Sequence, residues 1–417
     1  MSATEAICRR RGTCRLCGAT KLGKALSLAP IPLANDFVAA EALSREQPRF
    51  PLDVFLCESC GHLQLLDVID SKVLFEHYLY VSGTSPAFVR HFRDYAEYVA
   101  VRFAPRGNGF VVEIGSNDGT LLKIFRERGW RVLGVDPALE IGEATRRMGI
   151  PTITAFFAPD LADKIVAEHG RPDVITANNV LAHIDELDAV IRGFSRLLAP
   201  GGVVVFEVAY LVDLVEKILF DTIYHEHIDY HSVGPLIPFL ATHGLQLIEA
   251  TRVDTHGGSI RCVAQRIGGP HRVGASVEQA LRLEEQVGLR SMSTYAALAR
   301  RVDRLGAELL ALLRRLRAEG KRVAGFGAPA KATTLMYHLG ITADMVDFIV
   351  DDSPLKQGKF TPGLHVPVLP SDAIYQRRPD YLVVLAWNFA KPIMEKHARF
   401  SQAGGRFIVP LPELQVL

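Results

Sequence analysis

The chain has 417 residues, 48% of them hydrophobic and 22% charged, and its formal net charge is +1 at pH 7. This length favours two or three domains, and the balanced charge argues against a nucleic-acid binder that relies on a broad basic field. The N-terminus lacks the apolar core of a secretory signal, and the most apolar run, residues 203–212, is interrupted by Glu207. We therefore expect a cytoplasmic protein without a membrane span and without disulfides.

Four of the six cysteines form two Cys-x-x-Cys pairs, and a glycine follows each pair directly. That glycine lets the backbone fold around a metal, and two such knuckles complete a tetrahedral four-thiolate zinc site. Because protein would fill all four positions, we expect one structural zinc; a redox pair and plain buried thiols are the alternatives. The predicted ligands are Cys14, Cys17, Cys57 and Cys60.

From about residue 85 the pattern becomes that of an α/β domain. A helix is predicted over residues 91–103, and short apolar runs rich in β-branched residues then alternate with helical stretches. This alternation indicates a parallel sheet that is covered on both faces. The predicted strands are 110–114, 131–135, 173–177 and 202–207, with a late strand at 261–265.

The C-terminal part repeats this architecture on a smaller scale. Residues 276–318 read as helical, with leucines on one face that predict packing against a neighbouring domain. Strand-like runs then follow, although the two halves share no strong sequence repeat. The predicted strands are 322–325, 346–350, 381–385 and 407–409.

The first predicted strand runs into a glycine turn, Gly-Ser-Asn-Asp-Gly, from Gly115 to Gly119. Glycines permit a tight turn that approaches a ligand closely, but the middle glycine that admits a pyrophosphate is absent. Glu113, two residues before the turn, would repel a phosphate and suits a cationic ligand with an amino-acid end. We therefore predict that this turn binds S-adenosylmethionine.

Polar residues at the ends of the next strands extend this predicted site. Asp136 lies 21 positions beyond Gly115 and is placed to accept hydrogen bonds from ribose hydroxyls, a feature that NAD and S-adenosylmethionine domains share. Asn178 and Asn179 follow the third predicted strand, where side chains face the ligand crevice. Asn178 could instead only cap the next helix.

A second glycine turn, Gly-Phe-Gly-Ala-Pro-Ala-Lys at residues 325–331, suits a phosphate. Gly327 and the following helix start offer backbone N–H groups, and Lys331 adds a cation. Asp352 and Ser353 follow the next strand, placed like residues that contact a ribose or a sugar. Two alternatives stay open: the lobe is a true NAD site, or Lys331 only solvates its helix.

Residues 222–231 are unusually dense in titratable groups, including Tyr224, Glu226 and His227. His227 and His231 are four apart and could share a metal on a helix, or the cluster could be structural, or it could be acid–base machinery. Methyl transfer to a good nucleophile needs little beyond alignment, whereas transfer to carbon beside a ketone needs a base and an enolate stabiliser. A carbon acceptor therefore explains this density best.

Together these motifs resemble the three-domain deoxysugar 3-C-methyltransferases of antibiotic pathways, including that of the tetronitrose pathway. The resemblance covers essentially the whole chain. Its four marks are the two cysteine knuckles, Val-Glu-Ile-Gly-Ser-Asn-Asp-Gly, Tyr-His-Glu-His and Gly-Phe-Gly-Ala-Pro-Ala-Lys.

The resemblance implies a TDP-linked 4-keto-deoxysugar as the acceptor and C-3′ as the methylated carbon. It also implies that Tyr224, Glu226 and His227 line the active site, with His227 the leading base candidate, and it points to His183 and Tyr78. It leaves open whether C-3′ bears an amino or a hydroxyl group, and also the oligomeric state, with which a monomer is compatible.

The expected fold is therefore α/β in three parts. We predict a zinc-binding module at 1–84, a Rossmann-like S-adenosylmethionine-dependent domain at 85–274, and a second Rossmann-like domain with a helical linker at 275–417. The alternatives are an NAD-dependent oxidoreductase acting on a sugar nucleotide and a zinc-module RNA methyltransferase, which the balanced charge disfavours.

Overall fold

The computed structural model describes residues 7–76, 78, 81–84, 86–103 and 108–417. Ser85, where the second predicted domain begins, lies outside these residues. No helix among them is long and apolar enough to cross a membrane.

The N-terminal module is a small β-structure. Strands β2, β3 and β4 form an antiparallel sheet, and β1 pairs with β5 beside it. A fourth strand of the sheet, β11 (Asp229–Tyr230), comes from far along the chain and pairs with β4. The module is therefore joined to the segment that carries the predicted acid–base residues. Its own elements are β1 (Cys8–Arg10), β2 (Leu22–Ile31), β3 (Phe50–Cys57), β4 (Leu63–Leu65), β5 (Asp67–Ile69) and α1 (Ser71–Phe75).

The middle lobe contains a seven-stranded sheet that is covered by helices. In chain order within the lobe its strands lie 3-2-1-4-5-7-6: the first five are parallel, and the seventh runs antiparallel between the fifth and the sixth. This is the Rossmann order with one inserted strand. The strands are β6 (Phe110–Ile114), β7 (Arg131–Asp136), β8 (Thr152–Thr154), β9 (Val174–Asn178), β10 (Val203–Ala209), β12 (Leu245–Val253) and β13 (Ser259–Arg266).

The sequence predicts five of these seven strands and misses two. Strand β8 has only three residues, too few for a periodic signal. Strand β12 contains a bulge between Leu247 and Glu249 that shifts the alternation of its side chains. The helices of the lobe are α2 (Pro86–Phe103), α3 (Thr120–Glu127), α4 (Leu139–Arg147), α5 (Pro159–His169), α6 (Leu187–Leu197), α7 (Leu211–Glu216) and α8 (Val233–Thr242).

Two helices, α9 (Ala275–Val287) and α10 (Met292–Ala318), lead into the C-terminal lobe. The sequence predicts one helical region here, but Gly288 caps α9 by donating to the carbonyls of Glu284 and Glu285. Buried leucines of α10, including Leu309, Leu313 and Leu316, lie in the same core as the sheet that follows.

The C-terminal sheet has six strands in the Rossmann order 3-2-1-4-5-6, of which the last is antiparallel. Its strands are β14 (Val323–Phe326), β15 (Ile349–Val350), β16 (Val368–Leu369), β17 (Tyr381–Val384), β18 (Arg406–Val409) and β19 (Gln415–Val416). Its helices are α11 (Ala330–Leu339), α12 (Ala373–Arg377), α13 (Ala390–Lys396) and α14 (Ala398–Gln402).

Both sheets have a topological switch point beside their first strand, β6 in one lobe and β14 in the other. Ligands of open α/β sheets bind outside the carboxyl ends of the strands at such points. A cavity of about 1980 Å³ is lined by residues that follow both of these strands. The fold therefore brings two potential ligand sites into one cleft.

Candidate active site

The cavity between the lobes collects most of the predicted site residues. It is lined from the N-terminal module by Tyr78, from the middle lobe by Glu113 and His227, and from the C-terminal lobe by Gly327 and Lys331. The further predicted residues on its wall are Gly115, Asp136, Asn178, Asn179, His183, Tyr224, Glu226, Asp352 and Ser353. Gly119 is the residue before helix α3.

The first glycine turn is tightly held by the protein itself. Gly115 has φ +70°, and its backbone N–H donates to the carbonyl of Val135 at 2.7 Å. A Cβ at this position would lie 2.2 Å from Cγ2 of Val180, so only glycine fits.

Asp136 supports the same turn from the end of β7. Its Oδ2 accepts from the backbone N–H of Asn117 at 2.8 Å, and its Oδ1 accepts from that of Ala138 at 2.9 Å. Burial raises the pKa of this carboxyl. Because a carboxylate oxygen accepts more than one hydrogen bond, Asp136 can hold the turn and still accept from ligand hydroxyls.

Glu113 is the acidic group that fits a cationic ligand. It is 3% exposed, and its Oε2 has no hydrogen-bond partner among the described residues. Burial, and then the charges of Asp118 and Asp136, raise its pKa well above the ordinary value. A buried acceptor without a partner is costly unless a ligand supplies donors. Glu113 and Asp136 would therefore hold the amino-acid and ribose parts of S-adenosylmethionine.

The two asparagines after β9 complete this side of the cleft. Asn178 does not cap a helix, because its Oδ1 accepts from the backbone N–H of Glu207 at 3.1 Å. Asn179 has φ +55°, and its own N–H donates to the carbonyl of Glu207 at 2.7 Å. A left-handed asparagine on a cavity wall is a local strain of the kind that concentrates at ligand sites.

Tyr224 and His227 form a hydrogen-bonded pair at the centre of the cleft. Nδ1 of His227 lies 2.8 Å from the carbonyl oxygen of Thr222, which can only accept, so Nδ1 carries the proton. Nε2 then has a free lone pair and accepts from the Tyr224 hydroxyl at 3.1 Å. Burial lowers the pKa of His227 to about 4, so the ring is neutral at physiological pH.

His183 and Glu226 flank this pair. The His183 ring lies 5.0 Å from the His227 ring and stacks on Phe75 at 5.4 Å. Burial, and then the charge of His227, lower the pKa of His183 well below its usual value. Burial raises the pKa of Glu226 to about 7, against the hydrogen bonds from Asn35 and Tyr78, which favour its ionised form. Asn35 donates to Oε1 of Glu226 at 2.7 Å.

The other histidines of the segment have structural surroundings. His225 donates to the carbonyl of Pro51 at 3.0 Å and packs edge-on against Phe50. His231 is buried with its ring 5.6 Å from that of His62. Residues 223–231 contain no helix, so the shared helical face required by a His227–His231 metal site does not form.

The second glycine turn repeats the construction of the first. Gly327 has φ +87°, and its N–H donates to the carbonyl of Val350 at 2.7 Å. A Cβ there would lie 2.5 Å from that of Ala386. Asp351, at the end of the second strand, accepts from the N–H of Ala328 at 2.6 Å.

The lysine of this turn lies deeper than the sequence suggests. Nζ of Lys331 is 3.7 Å from Oδ2 of Asp221 and 4.2 Å from the centre of the Trp387 ring. It makes no hydrogen bond to the described residues, and burial lowers its pKa. Asp352 pairs with Lys396 at 2.7 Å, which occupies one of its oxygens.

Two cavity residues were missed by the reasoning from sequence. Lys356 donates to the carbonyl of Ala328 at 2.8 Å, which puts a second buried cation at the glycine turn. His256 lines the cavity with φ +52° and lies 4.9 Å from the Phe88 ring. A histidine before Gly257-Gly258, in a turn between two strands, was the signal that could have revealed the second residue.

The four knuckle cysteines converge as a metal site requires. Their Sγ atoms lie within 4.8 Å of one another, with Cys14 to Cys60 at 3.6 Å and Cys17 to Cys57 at 3.5 Å. Tetrahedral zinc with Zn–S bonds of about 2.3 Å places sulfurs about 3.8 Å apart, so the set fits zinc. Among the described residues, this is the one group of cysteine, histidine and carboxylate side chains that could hold a metal.

Comparison with known proteins covers all three parts of the chain. Residues 14–75 match a zinc binding domain model, residues 88–250 a methyltransferase domain, and residues 254–412 the C-methyltransferase C-terminal domain. The C-methyltransferase NovU of Streptomyces niveus is 37% identical over 411 residues, which cover 99% of this chain and 98% of the relative. The chain belongs to the C-methyltransferase family.

More distant relatives share only the middle lobe. A ubiquinone biosynthesis O-methyltransferase of Colwellia psychrerythraea is 25% identical over 163 residues, which cover 35% of this chain and 66% of the relative. Magnesium protoporphyrin IX methyltransferase (ChlM) of Synechocystis PCC 6803 covers 43% of this chain and 83% of its own, at 17% identity and a TM-score of 0.35.

As a C-methyltransferase of this family, the protein uses S-adenosylmethionine as its methyl donor and has a four-cysteine structural zinc site. The N-terminal module, the Rossmann-like middle lobe and the α/β C-terminal lobe agree with the predicted fold class. Family membership also favours methyl transfer over the oxidoreductase alternative.

Proposed function

We propose that this C-methyltransferase methylates C-3′ of a TDP-linked 4-keto-deoxysugar in antibiotic deoxysugar biosynthesis, after a base removes the proton next to the ketone. The observation that carries the proposal is neutral His227, whose Nε2 lies 3.1 Å from the Tyr224 hydroxyl on the cavity wall. Transfer to a good oxygen or nitrogen nucleophile would need only alignment. A buried base beside a hydroxyl donor is what a carbon acceptor requires.

Each group has one role in the proposed proton transfer. The Tyr224 hydroxyl turns from Nε2 of His227 to the ketone oxygen, and Nε2 then takes the proton from C-3′. The electron pair of the broken C–H bond moves into the enolate, whose oxygen Tyr224 stabilises by a hydrogen bond. Bound S-adenosylmethionine supplies the methyl group to which the carbon forms its new bond. Glu226, His183 and Tyr78 shape the pocket around this pair.

The C-terminal lobe provides the proposed acceptor site. The backbone at Gly327 and the buried ammonium groups of Lys331 and Lys356 suit a diphosphate, since each cation lies on the cavity wall. Lys331 in particular is a buried cation without a hydrogen-bond partner among the described residues, and such a group favours an anion. Asp352 and Ser353 would contact the nucleoside or the sugar. On this proposal the division at 84/85 and 274/275 separates zinc binding, donor binding and acceptor binding.

The test is incubation with S-adenosylmethionine and a panel of TDP-4-keto-deoxysugars, with mass spectrometry of the products. A mass gain of one methyl group, located at C-3′ by NMR, is expected. Without the methyl donor, the enzyme should exchange the C-3′ proton with deuterated solvent. Methylation of a hydroxyl or amino group, or no reaction across the panel, would contradict the proposal. NADH turnover would support the oxidoreductase alternative, and a salt-dependent RNA gel shift the RNA methyltransferase alternative.

A further inference from the structure

Arg15 lies between two zinc ligands, Cys14 and Cys17, yet it points away from the metal site into the protein. Its side chain is fully buried. Its Nη1 donates to the carbonyl of Leu65 at 2.5 Å and to Oε1 of Gln64 at 3.2 Å, so strand β4 holds the guanidinium in place. A buried arginine needs carboxylate partners to offset the cost of its desolvation.

The two carboxylates that face Arg15 come from the two segments that carry the active-site histidines. Nε of Arg15 donates to Oδ1 of Asp185 at 2.8 Å and lies 3.6 Å from Oδ2 of Asp229. Asp185 is two residues beyond His183, and Asp229 is two residues beyond His227. A single guanidinium therefore connects the backbones that position both rings.

The backbone around Ile228 closes the same arrangement. The N–H of Ile228 donates to the carbonyl of Ala182 at 2.8 Å, and its carbonyl accepts from the N–H of Leu65 at 2.8 Å. These bonds tie the His183 segment to the His227 segment, and both to β4. The His183 and His227 rings stand 5.0 Å apart above this connection.

We propose that Arg15 is a positioning residue, which fixes the His183 and His227 segments relative to each other through Asp185 and Asp229. Its role is to align the acid–base pair, and the zinc knuckle supplies the rigid support for its backbone. The inference rests on the proposed function for the roles of the two histidines. Small displacements of reacting groups are costly in rate, which is why such a distant residue matters.

The test compares Arg15→Met with Arg11→Met. Arg11 is a matched control because its Nη1 also contacts Oδ1 of Asp185, at 3.1 Å, but no contact joins it to Asp229. For Arg15→Met we expect kcat to fall by about 10- to 100-fold, with zinc content and S-adenosylmethionine affinity unchanged. Arg11→Met should retain the wild-type kcat.

A second readout does not depend on the acceptor. In protein labelled with [15N]histidine, the His227 resonances, assigned by their loss in His227→Asn, report the Nδ1–H tautomer. Arg15→Met should shift them toward a mixture of tautomers, and Arg11→Met should not. If Arg15→Met is insoluble, Arg15→Lys, which keeps the charge but loses the fork, should show a smaller change in the same direction.

The proposal is overturned if the Arg15 variant keeps wild-type His227 resonances and kcat, if both variants lose activity equally, or if Arg15→Met loses its zinc. Failure of the proposed function looks different. If His227→Asn still methylates while Arg15→Met shifts the His227 resonances, the positioning role stands and the base assignment fails.

Discussion

The two α/β lobes build the same support for a glycine turn and add opposite charges to it. In each lobe, an aspartate after the second strand accepts from a backbone N–H of the turn: Asp136 from Asn117 at 2.8 Å, and Asp351 from Ala328 at 2.6 Å. The conformation of the turn therefore comes from the lobe itself and does not require a ligand.

The difference lies in the side chains around the turns. Two residues before the turn glycine, the middle lobe has the buried carboxylate Glu113, whereas the C-terminal lobe has Gly325, whose Cβ would meet Ile349 at 2.8 Å. The C-terminal lobe adds Lys331 and Lys356 instead. Turn geometry is thus common to both lobes, and local charge selects a cationic methyl donor in one and, on our proposal, an anionic diphosphate in the other.

The largest effect should come from the segment between the lobes. If His227 removes the acceptor proton, His227→Asn should lower turnover by about 10²- to 10⁴-fold. Both ligands should still bind, since their turns lie on the two sheets, and calorimetry with each ligand checks this. Near-normal turnover would move the base role to His225, His183 or Tyr78.

Removing a carboxylate from the first turn should weaken only the methyl donor. We expect Glu113→Ala or Asp136→Ala to cost about 1.5–3 kcal/mol of S-adenosylmethionine binding, the range for a charge-assisted hydrogen bond. Titration calorimetry measures the change, with Asp351→Ala as the control on the other lobe. Equal weakening by the control would mean that the two lobes do not divide the ligands as proposed.

Removing a cation from the second turn should have the reciprocal effect. Lys331→Ala should raise the KM for the sugar nucleotide by about tenfold, while S-adenosylmethionine affinity is unchanged. Unaltered sugar-nucleotide affinity would place the diphosphate elsewhere in the cleft.

The same lysine predicts a pH dependence. Because burial lowers its pKa below the usual value for lysine, Lys331 binds an anion at low pH and loses this ability as pH rises through the lowered pKa. Acceptor affinity should therefore fall on the alkaline side at a lower pH than for an exposed lysine. This alkaline limb should be missing in Lys331→Ala, and its persistence there would assign it to another group such as Lys356.

The smallest effect should come from the contact by which the C-terminal lobe holds the acid–base segment. The hydroxyl of Thr334 donates to the carbonyl of Ile223 at 2.7 Å, whereas that of the adjacent Thr333 donates to Ala34 in the N-terminal module at 3.1 Å. Thr334→Val should lower kcat by the equivalent of about 1 kcal/mol, and Thr333→Val should not. Steady-state kinetics of both variants, with Thr334→Ser as the rescue, decide this. Equal losses would indicate general loosening of α11.

Features that depend on short stretches of chain could be predicted from the sequence. The cysteine knuckles are local motifs, and the structure brings their four sulfurs together as zinc requires. The strand at residues 110–114 and the turn after it follow from an apolar run that ends in glycine, because neighbouring residues alone determine that conformation. Asp136 could be placed at the end of the second strand for the same reason.

Tertiary structure decided what each titratable side chain contacts. Spacing alone could not separate His227, whose Nδ1 meets the Thr222 carbonyl, from His225, which is held by Pro51 of the N-terminal module. Nor could it show that Lys331 faces Asp221, or that Arg15 of a zinc knuckle reaches Asp229. These partners are about 100 to 200 positions apart in the sequence, and burial among them, rather than residue type, sets the protonation state of each group.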